Sequence, residues 1–223
     1  MSETPRKEDR RKQRTRRLLR QAMIELIIEK GYENVTIQDI TDRADVSRAT
    51  FYLHYPSKGG KEELLNSSIR EMYDELLGNY EPFSWDDVQR TGYADSLMSP
   101  VDYQHVADYA EFYRAMLGDR GAPFFVSTVH NYLAQVCQTV LGDDSFPDSP
   151  SPRLPRDMIA HALAGMHIGI VMWWLQSGMR YSPEEMAKMH YYMAAFGMWK
   201  ALGVEVPTPD FDVSPPDGAA DSK

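Results

Sequence analysis

The sequence predicts an all-α fold. Apolar residues recur at helical spacing through most of the 223 residues, capping residues or Gly/Pro pairs bound each such segment, and no stretch alternates with period two. The predicted order is a three-helix N-terminal domain holding a helix-turn-helix, followed by a larger helical body.

Residues 1–12 are polar and charged, include Pro5, and read as a mobile arm. A first helix is expected from about Arg14 to Lys30, with Leu18, Leu19, Ala22, Met23, Leu26 and Ile27 as its apolar face and Gly31 as its C-cap. Thr36 caps a short second helix on which Ile37, Ile40 and Ala44 share a face. Ala44-Asp45-Val46 forms a tight break, and Ser47 caps a third helix, Arg48 to His54, before Tyr55-Pro56-Ser57 ends it. Another helix is expected from about Lys61 to Leu77, its stripe made of Leu64, Leu65, Ile69, Met72, Tyr73 and Leu76. Asn79–Ser99, with Pro82, Trp85 and Gly92, reads as loop with room for one short helix. Ser99-Pro100 pairs an N-cap with an N1 proline and opens a helix expected to reach Leu117. Further helices are expected over Pro123–Leu141, Arg156–Ser177 and Pro183–Leu202. Ser182 and the acidic pair Glu184-Glu185 suit the start of the last one. The stretch Gly142–Pro155 reads as a surface loop, and the proline-rich tail after Gly203 as disordered. The expected domains are therefore an arm at 1–13, a first domain at 14–60, a body at 61–203 and a tail at 204–223.

Charge divides the chain the same way. The net charge is −9 overall, yet residues 1–61 hold 14 Lys+Arg against 9 Asp+Glu, and the rest of the chain holds 10 against 24. A basic head on an acidic body is the asymmetry of a nucleic-acid-binding segment joined to something else. The one cysteine, Cys137, excludes an internal disulfide and fits a reducing cytoplasm. The charged N-terminus lacks an apolar h-region, so no signal peptide is expected. Met158–Met179 carries no formal charge and is long enough to span a bilayer. It also holds His161, His167, Gln176, Ser177 and three glycines, so a helix buried in a bundle or a subunit interface accounts for it better, and no membrane partner is expected.

Within the head, two short helices joined by a tight break form the helix-turn-helix layout, which places its second helix in the DNA major groove. From Arg14 to Leu77 the chain resembles the DNA-binding domain of TetR-family transcriptional regulators. The resemblance rests on Ala22 and its stripe, Gly31-Tyr32, Val35-Thr36-Ile37, Ile40, Ala44, Val46-Ser47, Thr50-Phe51-Tyr52, His54-Tyr55, Ser57-Lys58 and Glu63-Leu64-Leu65. It implies a bacterial DNA-binding domain with a helical ligand-binding and dimerisation domain behind it. Its members commonly run from Ser-Lys directly into Glu-x-Leu, whereas here Gly59-Gly60-Lys61 intervenes. That insertion removes the expected capping box and leaves two alternatives: the next helix begins near Lys61, or its first turn is loosened.

On this reading the DNA-contacting residues are Thr36, Ser47, Arg48, Ala49, Thr50, Tyr52, His54 and Lys58. Arg48 suits a bidentate contact to guanine. Thr50 suits a thymine methyl or a phosphate. Ser47 and Tyr52 offer hydroxyls to phosphate, Thr36 adds a hydroxyl at a helix N-terminus, and Lys58 adds a charge. Tyr52 and His54 also fit packing roles, and Arg48 a solvated one. The arginine-rich arm reads as a phosphate-backbone or minor-groove contact.

In the body, aromatic and methionine side chains suit either an ordinary core or a gap for an apolar or aromatic small molecule. The resemblance implies such an effector pocket, and implies that its occupation changes the separation of two DNA-binding heads. The expected lining is Tyr109, Phe112, Met116, Phe125, His130, Met166 and Trp173. Gly165 and Gly169, with Ala162 near the same face, let another helix approach closely, and the last helix adds Met186, Met189, Tyr192, Met193, Phe196 and Trp199. The last two helices of each subunit are thus expected to form a homodimer. The partners expected are a double-stranded DNA operator, a small-molecule effector and a second copy of the chain. No cofactor, metal site or catalytic group is expected: Cys137 has no Ser/His/Asp companion pattern, and His161 and His167 fall on different helix faces. The expected function is a cytoplasmic, ligand-released repressor; the alternative is a ligand-independent architectural or interaction protein that binds DNA.

Overall fold

A computed structural model describes residues 7–77, 90, 99–119, 121–140, 154–202 and 205. Arm residues 1–6, most of Asn79–Ser99 and of Gly142–Pro155, and nearly all of the tail lie outside the described residues. Among those described, every regular element is helical: α1 Lys7–Lys30, a 3-10 turn at Tyr32–Asn34, α2 Ile37–Ala44, α3 Arg48–His54, α4 Gly60–Leu77, α5 Pro100–Asp108, α6 Ala110–Leu117, α7 Phe125–Val140, α8 Arg156–Gln176 and α9 Pro183–Leu202. The all-α expectation holds.

The helix ends follow local chemistry. Gly31 ends α1 with φ 79°, a conformation open to glycine at little cost, and its N–H donates to Ile27 O at 2.8 Å. At α5 the Ser99 hydroxyl accepts from Val101 N, and Pro100 occupies the first turn. At α9, Ser182 N donates to the Glu185 carboxylate at 2.6 Å and Glu185 N to the Ser182 hydroxyl at 3.2 Å, a reciprocal capping box.

Two boundaries differ from expectation. α1 begins at Lys7, seven residues before Arg14, because Lys7–Gln13 consists of helix-compatible charged and polar residues onto which an established helix propagates one hydrogen bond at a time. The helix expected from Pro100 to Leu117 is interrupted at Tyr109, where φ −112° and ψ 26° separate α5 from α6. Neither glycine nor proline marks that break.

The chain divides into two compact units: residues up to Asp74 together with Glu111–Phe125, and Glu75–Ala110 together with the chain from Val126 onward. In the first, α1 packs on α2 and α3. Leu19, Met23, Ile27, Ile40, Phe51, Leu64, Leu65 and Ile69 form its core. The boundary expected at Gly60 falls inside this unit, because α4 contributes that apolar stripe to the same core. Phe112 of α6 joins Met23, Ile24, Leu65, Ile69 and Met72 around one small recess, and the Tyr73 and Tyr113 hydroxyls lie 3.4 Å apart.

In the second unit α9 packs on α5 and α8. Tyr103 of α5 is their meeting point: its hydroxyl is hydrogen bonded to His190 Nδ1 at 2.8 Å, and its ring meets Trp174 edge-on at 5.5 Å. His167 and His190 rings lie 5.3 Å apart in this core. Burial pushes His167 down to about 4 and His190 to about 3, His190 being lowered further by its neighbour His167. α8 is long and apolar enough to cross a membrane by composition, and about 44% of its apolar window is buried inside the chain.

Candidate nucleic-acid interface

The helix-turn-helix is assembled by caps and one corner. Thr36 accepts from Asp39 N at 3.1 Å, while Thr36 N donates to the Asp39 carboxylate at 2.8 Å. Lys30 reaches the same carboxylate at 2.8 Å. Lys30 first, then Thr36, holds the Asp39 carboxyl far below its ordinary range. The Thr36 hydroxyl also donates to Asp39, and with Asp39 N already bonded to Thr36 this leaves the backbone N–H groups of Ile37 and Gln38 as the donors at the start of α2. Asp45 makes the corner in the left-handed region, φ 53°, a conformation its short polar side chain tolerates. Ser47 then caps α3 by accepting from Thr50 N at 3.1 Å.

Arg43 locks α2 against α1, with two bonds of 2.8 Å to Glu29 and one of 3.2 Å to Glu25. These groups are partly exposed, so the clamp orients more than it stabilises.

α3 buries Phe51 and turns Arg48, Ala49, Tyr52 and Leu53 to solvent. Thr50 and His54 are half-buried, and Lys58 is exposed in the turn beyond. Tyr52 keeps an edge-to-face contact with Phe51 at 5.5 Å while remaining 42% exposed, so packing and presentation coexist in one side chain. Burial lowers the His54 pKa, and the positive charges of Arg16 and Lys12 lower it further, so the imidazole is neutral near pH 7. Those two charges place the basic side of α1 beside the end of α3. Leu53, at 83% exposure, is absent from the residues expected from sequence. Its signal was available in the helical spacing, since it lies two residues beyond the buried Phe51.

The inserted glycines tighten the junction after α3. A β-carbon on Gly60 would stand 2.9 Å from Cε1 of Phe51, so only glycine lets α4 start this close to α3. Ser57 N donates to the Glu63 carboxylate at 3.2 Å, and Lys61 Nζ donates to Tyr32 O at 3.0 Å while standing 4.1 Å over the Tyr32 ring. Of the two alternatives read from sequence, the helix starts at Gly60, adjacent to Lys61, and its first turn is anchored.

The residues expected to line an effector pocket are divided between the units. Phe112, Met116 and Phe125 are buried in the first, where the Phe112 and Phe125 rings meet at 5.9 Å. Tyr109, His130, Met166 and Trp173 belong to the second. There Tyr109 is exposed with its ring 4.9 Å from that of His105, His130 bonds to His161 O at 3.1 Å, Met166 is half-buried, and Trp173 stacks on Tyr181. Burial raises the Cys137 thiol to about 11, which leaves it protonated and unreactive near neutrality.

The model of bacterial regulatory proteins of the tetR family matches residues 19–67, and a transcriptional regulator C-terminal region matches residues 103–195. The chain is 28% identical over 189 residues to the uncharacterized HTH-type transcriptional regulator YxbF of Bacillus subtilis, covering 81% of this chain and 44% of that protein. It thus spans less than half the length of the curated relatives it matches. The fold is similar to that of a TetR transcriptional regulator from Streptococcus agalactiae, with a TM-score of 0.57 and 23% identity over 84% of this chain and 97% of the other. It also resembles NalD of Pseudomonas aeruginosa, the secondary repressor of the MexAB-OprM multidrug efflux pump, with a TM-score of 0.50 and 19% identity over 84% and 96%. With a capped helix-turn-helix inside one matched segment and an all-helical body inside the other, the chain belongs to the tetR family of bacterial regulatory proteins.

Proposed function

We propose that the protein is a dimeric, cytoplasmic DNA-binding transcriptional regulator. It represses by holding an operator, and it lets go when a small, largely apolar or aromatic ligand binds the helical body. The outward face of α3, held by the Ser47 cap and the Phe51 anchor and bordered by Lys12 and Arg16, carries this reading. In it Arg48 donates to a guanine edge, Ala49, Thr50 and Tyr52 line the groove, and Ser47, His54, Lys58 and the N-terminus of α2 at Thr36 position the phosphates.

The homodimer is supported by the uncovered apolar side of the last two helices. Met158, Ala162, Gly165, Gly169 and Trp173 fall on one face of α8 and are all exposed, with Met158 at 57%. A β-carbon on Gly169 would meet nothing within 4 Å, which leaves room for another backbone. On α9, Met193 is 58% exposed. NalD, whose fold this chain resembles, is a repressor, and this supports repression as the role. The effector binds against Phe112, Met116 and Phe125 in one unit, or against Tyr109, His130, Met166 and Trp173 in the other.

The test is selection of bound fragments from the source genome with the full-length chain, followed by a compound screen against the selected duplex. Enrichment of a two-fold symmetric site, and its release by one compound class, is the expected result. Binding that no compound alters would favour a ligand-independent architectural role, and no enrichment would overturn the proposal.

A further inference from the structure

Leu53 has the highest exposure among the large apolar side chains of the described residues, at 83%, and it sits on the helix that otherwise presents Arg48 and Tyr52. Helix geometry makes its position specific. Phe51 is fully buried and defines the inward direction of α3. Ala49 and Leu53 each lie two residues from it, so at about 100° per residue both project roughly 160° away from the core. They straddle the centre line of the outward face, with Tyr52 on one flank and Thr50 on the other. Arg48 stands further round on the Tyr52 side.

Neither alanine nor leucine can donate to a phosphate or read a base-edge acceptor. The apolar group that the major groove offers is the thymine C5-methyl. Resting on the DNA-binding role proposed above, we propose that Ala49 and Leu53 form an apolar reader of thymine methyl groups. The half-site then carries thymine on one strand at the step beneath the middle of α3, next to the base that Arg48 contacts. The cationic surroundings argue for DNA as the occupant of this face: Arg48 and Lys58 are exposed, and the charges of Lys12 and Arg16 reach the end of the same helix.

The experiment begins with selection of a high-affinity duplex from a random library by the full-length chain. Each thymine of that duplex is then replaced in turn by deoxyuridine, which removes the methyl alone. One or two positions per half-site should lose about fourfold in affinity, equivalent to roughly 0.8 kcal/mol for one methyl-sized group. Leu53→Ser should show a similar loss on the parent duplex and become indifferent to uracil at those positions, while Leu53→Met keeps the sensitivity. Because Leu53 is exposed, Leu53→Ser should melt with the parent, and this checks that the loss is local. Uracil without effect at every position would overturn the inference, as would sensitivity that persists in Leu53→Ser. So would a Leu53→Ser defect in self-association in place of the methyl effect, which would make this face a contact with a second copy. If the chain selects no DNA at all, the DNA-binding proposal falls and the methyl reader with it; selection without methyl coupling removes only the latter.

Discussion

Gly60→Ala places a methyl carbon 2.9 Å from Cε1 of Phe51 and 3.4 Å from the backbone oxygen of Tyr55. Comfortable carbon–carbon contacts lie at about 3.5–4.0 Å, so the ring or the start of α4 has to give by roughly 0.6–1 Å. Phe51 is fully buried, so its ring moves only by displacing other core side chains. Overpacking of this kind costs about 1–3 kcal/mol. Alanine recovers at most about 1 kcal/mol of helix propensity, and less in a first turn. The net expectation is destabilisation by about 1–2 kcal/mol, or a melting point roughly 2–8 °C lower for a chain of this size. Gly59→Ala is the matched control, because its β-carbon meets only Glu62, at 3.9 Å and beyond. Urea and thermal unfolding of both variants, read beside affinity for the selected duplex, separate the effects. Gly60→Ala should also bind DNA more weakly, since Phe51 sets the angle of α3. A Gly60→Ala protein as stable and as tightly bound as Gly59→Ala would refute the close-approach reasoning.

Further outcomes follow from the same geometry. His167 and His190 are neutral in the folded core and titrate near 6.5 once exposed, so the unfolded chain binds more protons below that pH. Stability is therefore full above 6.5 and falls as the pH drops toward 4, by about 2 kcal/mol for one such histidine at pH 5; urea titrations at pH 7 and 5 should show this, with a flatter dependence in His167→Leu. Ser47→Ala removes the acceptor for Thr50 N and should cost about 0.5–2 kcal/mol, weakening binding to all DNA sequences in gel-shift titrations. Trp173→Glu puts a charge on the uncovered face of α8 and should yield monomers in sedimentation velocity; an unchanged dimer would move the interface elsewhere.

Helix ends were legible wherever a single side chain determines them: Gly31, Thr36, Ser47, Ser99 and Ser182 all cap as their residue types dictate. The start of α1 was not, because a charged run such as Lys7–Gln13 has the same composition in an arm and in a helix. Tyr109 interrupts a helix without a breaker residue, so nothing local announces it. Gly59-Gly60 leaves two starts of α4 open in the sequence, because sequence records the missing side chain at Gly60 and not the ring that fills its space. On α3, Arg48, Ala49 and Tyr52 stand among the residues expected at DNA, whereas Leu53 does not, because an apolar side chain announces no DNA contact by its type alone. The pocket candidates share chemistry, but nothing in their spacing tells that Phe112 and Phe125 pack in one unit and Trp173 in another.

The first unit is not a continuous length of chain: Glu111–Phe125 returns to it through Phe112, through Tyr113 beside Tyr73, and through Phe124 edge-on to Tyr32 at 5.8 Å. A chimaera that grafts residues 1–77 onto another regulator's body would therefore carry an unfinished module, with Tyr32, Tyr73 and the recess beside α1 facing foreign side chains. Exchanging the module intact takes three joints, one near Asp74 in the last turn of α4 and two flanking Glu111–Phe125. Variants that alter operator preference should accordingly turn up in two separated stretches of the gene.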